Sequence, residues 1–204
     1  MADLVPVSLL DAVNTCLAAI GESPVDNVEI TDLVTVVLAK QFIAERSRSL
    51  QSMTWGFNSD EDYLLARDEN LKIPVPPNAL RVDTTREFSQ FDVVYRAGFL
   101  YDRAQRSFTF DRDVKCNITW YFDFTDLPEA ARWYITVSAA RTLQARMLAA
   151  DARERFTKED EERAWATLKD AEGDTGDHNM FNGSYSVAGI LDRSADNSWP
   201  IGII

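Results

Sequence analysis

Apolar side chains recur every three or four residues in four stretches of the chain, which is the spacing of an amphipathic helix. The first stretch covers residues 8–20, with Ser8 as its predicted N-cap and Gly21 directly after it. The second is predicted to run from a Thr31 cap to about Met53. The pattern therefore predicts two helices in the first quarter of the chain, each with one buried face.

Two more helical stretches lie in the second half of the chain. The third runs from Pro128 to about Leu148 and is apolar on two sides, so we expect it to be buried between two neighbours. The fourth follows a Thr157 cap and ends near Glu172. The residues predicted to face inward on it are Ala164, Trp165, Leu168 and Ala171. Residues 1–56 and 123–177 are thus predicted to form a four-helix bundle.

Between the second and third helices the pattern changes to β-branched and aromatic residues. Pro74, Pro76 and Pro77 exclude a helix there. Ala97-Gly98 offers a tight turn, and Cys116, Ile118, Trp120 and Phe122 alternate with polar positions. The predicted strands are residues 91–96, 99–101, 107–110 and 114–122. Residues 57–122 are therefore predicted to be an inserted small antiparallel β-sheet, which makes the fold class α+β.

The last stretch, residues 178–204, combines turn-forming residues with large apolar ones. Gly, Asn, Ser and Asp are frequent in it, yet it carries Phe181, Tyr185, Ile190, Leu191, Trp199 and Ile201. So many large apolar groups need a surface to cover them. We predict an extended C-terminal arm that docks on a partner.

Composition and charge narrow the class of protein. The chain has 204 residues, 46% of them hydrophobic and 26% charged, which fits a soluble globular protein. With 21 Lys and Arg against 33 Asp and Glu, the net charge is −12. This balance argues against a protein that grips DNA by neutralising phosphates. No apolar run is long enough to cross a bilayer and no basic leader precedes the first helix, so a cytosolic product is expected.

Few side chains offer catalytic or metal-binding chemistry. Cys16 and Cys116 are isolated among apolar neighbours, which favours buried free thiols over a disulfide or a zinc site. The single His178, in a polar loop, is too little for a zinc site with several histidines. No phosphate-binding glycine motif occurs. We therefore expect neither a metal nor a cofactor.

The sharpest catalytic hint is the pair Asp113 and Lys115 at the start of a predicted strand. Metal-dependent nucleases use an acid at this spacing to hold Mg²⁺ and a lysine to position the attacking water. A second carboxylate, such as Asp92 or Asp102, would have to converge on the same ion. A metal-dependent nuclease is therefore the alternative function, although residues of these types also occur in ordinary turns.

Several short segments resemble one known family. They include I-G-E-S-P-V at residues 20–25, W-G-F-N at 55–58, Y-D-R at 101–103, L-P-E at 127–129, A-A-R at 139–141 and Q-A-R at 144–146. In this order they are similar to tail tubular protein A, the head-to-tail adaptor of podophages, which are short-tailed bacteriophages. The resemblance spans almost the whole chain, and the I-G-E-x-P-V turn and the W-x-F-N segment are its most specific parts.

The resemblance implies a structural role in the neck or tail of a virion that is assembled in the host cytoplasm. It implies a homo-dodecamer bound beneath the portal protein, with the tail nozzle protein (tail tubular protein B) and tail fibres below it. DNA would pass through the lumen of this ring during packaging and ejection without specific binding. The resemblance implies no catalysis.

Two sets of residues are assigned to these contacts. We expect Arg132, Arg141 and Arg146, from a locally basic part of the chain, to face acidic segments of the adjacent subunit. The six arm residues Phe181, Tyr185, Ile190, Leu191, Trp199 and Ile201 are expected to bind the portal. The inserted sheet would project towards the nozzle or the fibres.

Overall fold

The computed structural model of the chain describes residues 6–29, 33–147 and 156–175. These residues form an α+β fold, as predicted. Its helices are α1 (Leu9–Ile20), α2 (Val34–Gln51), α3 (Glu129–Met147) and α4 (Lys158–Thr175). Its strands are β1 (Ser59–Leu65), β2 (Ala79–Thr84), β3 (Val93–Arg96), β4 (Phe99–Asp102) and β5 (Val114–Trp120).

Local signals fix the ends of α1. The backbone N–H of Asp11 donates to the Ser8 hydroxyl at 3.1 Å, and the Asp11 carboxylate accepts from the backbone N–H of Ser8 at 3.0 Å. The Ser8 hydroxyl also donates to the Asp11 carboxylate, at 2.6 Å, and this bond together with the one from the Ser8 N–H lowers the pKa of Asp11. Gly21 ends the helix with a φ of 83°, a left-handed conformation that a residue without Cβ adopts at no steric cost. Both predicted ends of the first helix are confirmed.

The predicted starts of α4 and α2 agree only in part with the structure. Thr157 and Asp160 make the predicted cap of α4, with the N–H of Asp160 donating to the Thr157 hydroxyl at 3.2 Å. The predicted Thr31 cap of α2 is wrong: the helix begins at Val34, and its N-cap is Leu33, which makes no side-chain cap. Thr31 itself lies outside the described residues.

The third helix lies at the centre of the helical core. It contacts α1, α2 and α4, and Ile135 and Leu143 on it are fully buried. The two-sided apolar pattern of this helix is therefore explained by packing within the chain. Ala171, which was predicted to face inward, is instead exposed, and so are Met53 and Trp133. Met53 follows the end of α2, while Trp133 and Ala171 line a groove described below.

The strands form two small antiparallel sheets rather than one. The first has the order β1-β5-β2, and Cys116, Ile118 and Trp120 of its central strand are buried, as predicted. The second is the β3-β4 hairpin, which turns at Ala97 and Gly98 with φ of 53° and 87°. The strand predicted over residues 107–110 is wrong, because that segment makes only isolated bridges. Strands β1 and β2 were not predicted.

Strand β1 forms one edge of the three-stranded sheet and is irregular. Its pairing with β5 shifts in register between Asp60 and Tyr63, and Asp62 has a φ of 56°. Asp60, Glu61 and Asp62 are all exposed. The extra residue is a β-bulge, which bends the strand and interrupts its ladder.

A buried polar joint connects the end of α2 to the end of β5. The amide of Gln51 donates to the carbonyl of Phe122 at 3.0 Å and accepts from its N–H at 2.7 Å. The amide of Asn58 donates to the carbonyls of Gln51 at 2.7 Å and Trp120 at 2.9 Å. We call this network the Gln51–Asn58 joint.

Phe122 packs against both hydrophobic cores, one formed by the helices and one by the strands. The cores therefore meet at the joint. The division of the chain into a helical domain, an inserted domain at 57–122 and an arm stays a prediction.

The two thiols are free and buried, as predicted. Burial raises the pKa of Cys16 and of Cys116 to about 12, so both are protonated at pH 8. We expect neither to react with Ellman's reagent in the folded protein and both to react after unfolding in guanidinium. A Ser89→Cys variant, with the new thiol at an exposed position, supplies the positive control. Rapid reaction of a native thiol in the folded chain would contradict the burial.

Candidate interaction surfaces

The three arginines predicted to meet a neighbouring subunit all make contacts within the chain. Arg132 donates from Nε to the carbonyl of Leu127 at 2.7 Å. Arg141 forms an ion pair with Glu161. The guanidinium of Arg146 lies over the ring of Phe42, 4.5 Å from its centroid. Arg146 is nevertheless exposed and Arg141 half-exposed, so contact with another subunit stays a prediction.

A polar cluster at the contact of α3 and α4 has Glu161 at its centre. Its carboxylate accepts from the Ser138 hydroxyl at 2.5 Å and from Nε of Arg141. Burial raises the pKa of the nearby Tyr134, and the charge of Glu161 adds to the rise. The cluster therefore fixes the start of α4 on α3 by charge-assisted hydrogen bonds.

The segment Trp55–Asn58 holds the other end of α4. The Asn58 carboxamide accepts from the N–H of Trp55 at 2.8 Å, and Nε1 of Trp55 donates to the carbonyl of Leu50 at 2.8 Å. These bonds close a tight turn directly after α2. The rings of Trp55 and Trp165 make an edge contact with centroids 5.4 Å apart, and the N–H of Gly56 donates to Glu172.

An open apolar groove lies between this turn, the start of α3 and the last turns of α4. It encloses about 790 Å³. The lining residues are Gly56, Phe57, Pro128, Glu129, Ala130, Trp133, Thr167, Leu168, Ala171 and Glu172. Phe57, Trp133, Leu168 and the alanines make its walls, and Glu129 and Glu172 are its ionisable members. We call this surface the α3–α4 groove.

A smaller cavity of about 280 Å³ continues the groove towards the start of α4. It shares Trp133 and Thr167 with the larger one and reaches Phe156 and Asp160. Trp133, with 41% of its surface exposed, therefore stands where the two meet. The pattern of apolar residues along the sequence does not predict this groove. Its presence depends on how α4 seats against the Trp55–Asn58 turn, which sequence spacing does not encode.

Asp113 and Lys115, the residues of the nuclease alternative, form ion pairs with different partners. The carboxylate of Asp113 accepts from the N–H and Nε of Arg67, at 3.0 and 3.2 Å, and these bonds lower the pKa of Asp113. Nζ of Lys115 lies 3.4 Å from the carboxylate of Glu87. An acid held by an arginine and a lysine held by a second acid are the arrangement of surface ion pairs.

The carboxylates considered as a second ligand do not join Asp113 either. Asp92 pairs with Arg103, and Asp102 accepts from the backbone N–H of Ala104 at 2.8 Å. Within residues 6–29, 33–147 and 156–175, no group of three or more His, Cys, Asp or Glu side chains is arranged to hold a metal ion. This geometry gives the nuclease alternative no support.

The six residues assigned to portal binding and the single His178 lie outside the described residues. Helix α4, whose residues Ala171 and Glu172 line the α3–α4 groove, is described up to Thr175. Over the described part of the chain, no helix has both the length and the apolar character needed to cross a membrane.

Comparison with known proteins assigns the family. A model of the family described as tail tubular protein matches residues 10–178. The tail tubular protein A of Klebsiella phage KP34 is 36% identical over 133 residues, which cover 65% of this chain and 69% of that relative. The family match runs from α1 through α4 and so covers the helices and strands described above except for Leu9, the first residue of α1. The chain therefore belongs to the tail tubular protein family and is a structural component of the virion tail of a phage.

Proposed function

We propose that this tail protein is a head-to-tail adaptor. Twelve copies form a ring beneath the portal protein, with the nozzle protein and tail fibres below and a DNA channel at the centre. The observation that carries the proposal is the family match over residues 10–178. The ring has a scaffolding role and no catalytic one. Each subunit contributes a four-helix bundle to the ring, and its sheets project towards the nozzle or the fibres.

The charge of the chain suits a conduit for DNA. Twelve copies of a chain with net charge −12 together carry −144. A lumen with excess negative charge repels the phosphate backbone, so DNA moves through it without adhering to the wall. The exposed carboxylates Asp60, Glu61 and Asp62 are among the groups available for such a surface.

Contact between subunits uses the basic residues of α3. Arg146 stacks on Phe42 with one face and is otherwise exposed, and Arg141 keeps 36% of its side chain accessible beside Glu161. Together with Arg132, they can add a carboxylate of the adjacent subunit to the partners that they already have. The acidic start of α4, with exposed Glu159 in the first turn and exposed Glu162 directly after it, offers such carboxylates.

The arm makes the contact with the portal. Its six large apolar residues order on the portal surface, burying area worth about 25 cal/mol per Å² against the entropy of ordering the segment. Those residues are Phe181, Tyr185, Ile190, Leu191, Trp199 and Ile201. The arm follows α4 directly, so the helical core presents it at one defined place.

Deleting residues Gly183 to Ile204 is expected to abolish docking to the portal while the helices and sheets stay folded. The deletion removes all but one of the six apolar residues and none of the described structure. Co-sedimentation with purified portal rings, followed by electron microscopy, measures docking; circular dichroism and thermal unfolding check the fold. The full chain should add a ring to the portal. Undiminished docking by the shortened chain would refute the role of the arm.

A further inference from the structure

We infer that the α3–α4 groove binds the chain's own C-terminal arm. The arm stays in the groove until it is transferred to the portal. The inference rests on the proposed role of the arm in portal docking and adds a mode of regulation to it. An arm held in this groove is covered before assembly, and its transfer to the portal exposes the groove again.

The size and chemistry of the groove fit an apolar segment. A volume of about 790 Å³ holds several large side chains, and a further 280 Å³ adjoins it. Phe57, Trp133 and Ala171 give it apolar walls that are open to solvent. An open groove with apolar walls and few polar groups is the kind of surface to which an apolar segment binds.

The position of the groove favours the arm over other occupants. Glu172 is the last residue of α4 that lines the groove, and the arm begins six residues further along the chain, at residue 178. Thr167, which lines the groove, lies eight helical residues from Thr175, or about 12 Å. The seven residues that follow Thr175, up to Asn182, span up to about 23 Å when extended, so the chain can turn back and reach Thr167. Such a tether gives millimolar effective concentration.

The charges of the groove lining and of the arm also favour the arm as the occupant of the groove. Glu129 and Glu172 belong to the groove lining, so an acidic partner or DNA meets repulsion there. Residues 178–191 of the arm contain no Asp, Glu, Lys or Arg, in a chain that is otherwise strongly acidic. Phe181 and Tyr185 lie in this uncharged stretch and are the aromatic groups nearest to the tether. The stretch can therefore enter the groove without burying a charge.

Cross-linking in the full-length chain tests the position of the arm. Thr167→Cys combined with Asn182→Cys should form a disulfide within one chain under mild oxidation, at least about tenfold faster than Ala166→Cys combined with Asn182→Cys. Thr167 and Ala166 are adjacent and exposed on α4, but only Thr167 lines the groove. The native Cys16 and Cys116 are buried and do not compete.

A substitution in the groove gives a second, independent readout. Ala171→Arg places a charged side chain on the groove wall, whereas Ala166→Arg makes the same change on another face of the same helix. We expect amide hydrogen exchange in residues 179–191 to become at least about tenfold faster in Ala171→Arg and to stay unchanged in Ala166→Arg.

Three results would overturn the inference. They are equal rates for the two cysteine pairs, disulfides that form only between chains, and equal exchange in the two arginine variants. The transfer step has its own test: the locked Thr167→Cys, Asn182→Cys chain should not co-sediment with portal rings until it is reduced. Full docking by the locked chain would refute the transfer. The cross-linking and exchange measurements use no portal, so their failure leaves arm-mediated docking intact, while docking by the Gly183–Ile204 deletion would refute that role alone.

Discussion

Replacing Gln51 by leucine is expected to lower the free energy of unfolding by about 2–4 kcal/mol. The substitution keeps the size of the side chain but leaves the N–H and the carbonyl of Phe122 without the amide that serves both. Each buried polar group that loses its partner costs about 1–3 kcal/mol. Because the Gln51–Asn58 joint connects α2 to β5, the loss falls where the two cores meet. Urea denaturation followed by circular dichroism measures the change.

Gln41→Leu is the matched control, since Gln41 lies on the same helix but is exposed. A surface change of this kind alters stability by no more than about 0.5 kcal/mol. If Gln51→Leu were as stable as Gln41→Leu, the joint would contribute nothing to the connection between the cores.

Replacing Trp165 by alanine is expected to lower the free energy of unfolding by about 2–4 kcal/mol, because it removes a large, half-buried side chain at the contact of three segments. The ring of Trp165 lies 5.4 Å from that of Trp55 and 5.0 Å from that of Tyr134, measured between centroids. The loss should loosen α4 first, so hydrogen exchange in residues 158–175 should become faster than in α1. Chemical denaturation and exchange together provide the measurement.

Trp133→Ala serves as the comparison for this prediction. Trp133 is 41% exposed and lines the α3–α4 groove, so its removal costs the fold much less than that of Trp165. Equal destabilisation by the two substitutions would mean that α4 is held by contacts other than its aromatic cluster.

Helices whose ends are marked by local chemistry could be predicted from the sequence. Ser8 with Asp11 and Thr157 with Asp160 satisfy backbone groups within one turn, so a short sequence contains the whole signal. The start of α2 lacks such a side-chain bond, and the cap that the sequence predicted at Thr31 is wrong. The burial of α3 on two sides was also predictable, because its apolar residues cover more than one face.

The strands with few buried residues could not be predicted in the same way. Strand β1 buries only Leu65 and carries three successive acidic residues, so its sequence resembles that of a loop. Its pairing with β5 is a contact between distant parts of the chain, to which local alternation is blind. Residues 107–110 alternate as a strand would, yet no continuous partner lies beside them in the described structure.

The interaction surfaces show the same difference between features that local sequence encodes and features that depend on contacts between distant parts of the chain. The family was recognisable because short segments such as residues 20–25 and 55–58 are specific in sequence. The α3–α4 groove was not, because Phe57, Trp133 and Ala171 come from three separate elements. Each of them alone looks like a core residue, and only tertiary packing shows that they share an open face.

The irregular edge strand β1 helps the chain to accumulate at high concentration without aggregating. Aligned backbone donors and acceptors at the border of a sheet recruit further strands, and identical chains can then polymerise into fibrils. The bulge at Asp60–Tyr63 disrupts the alignment of these groups on β1. The adjacent carboxylates add negative charge that repels an identical strand. Copies of the chain that accumulate in an infected cell are thereby protected from this route to aggregation.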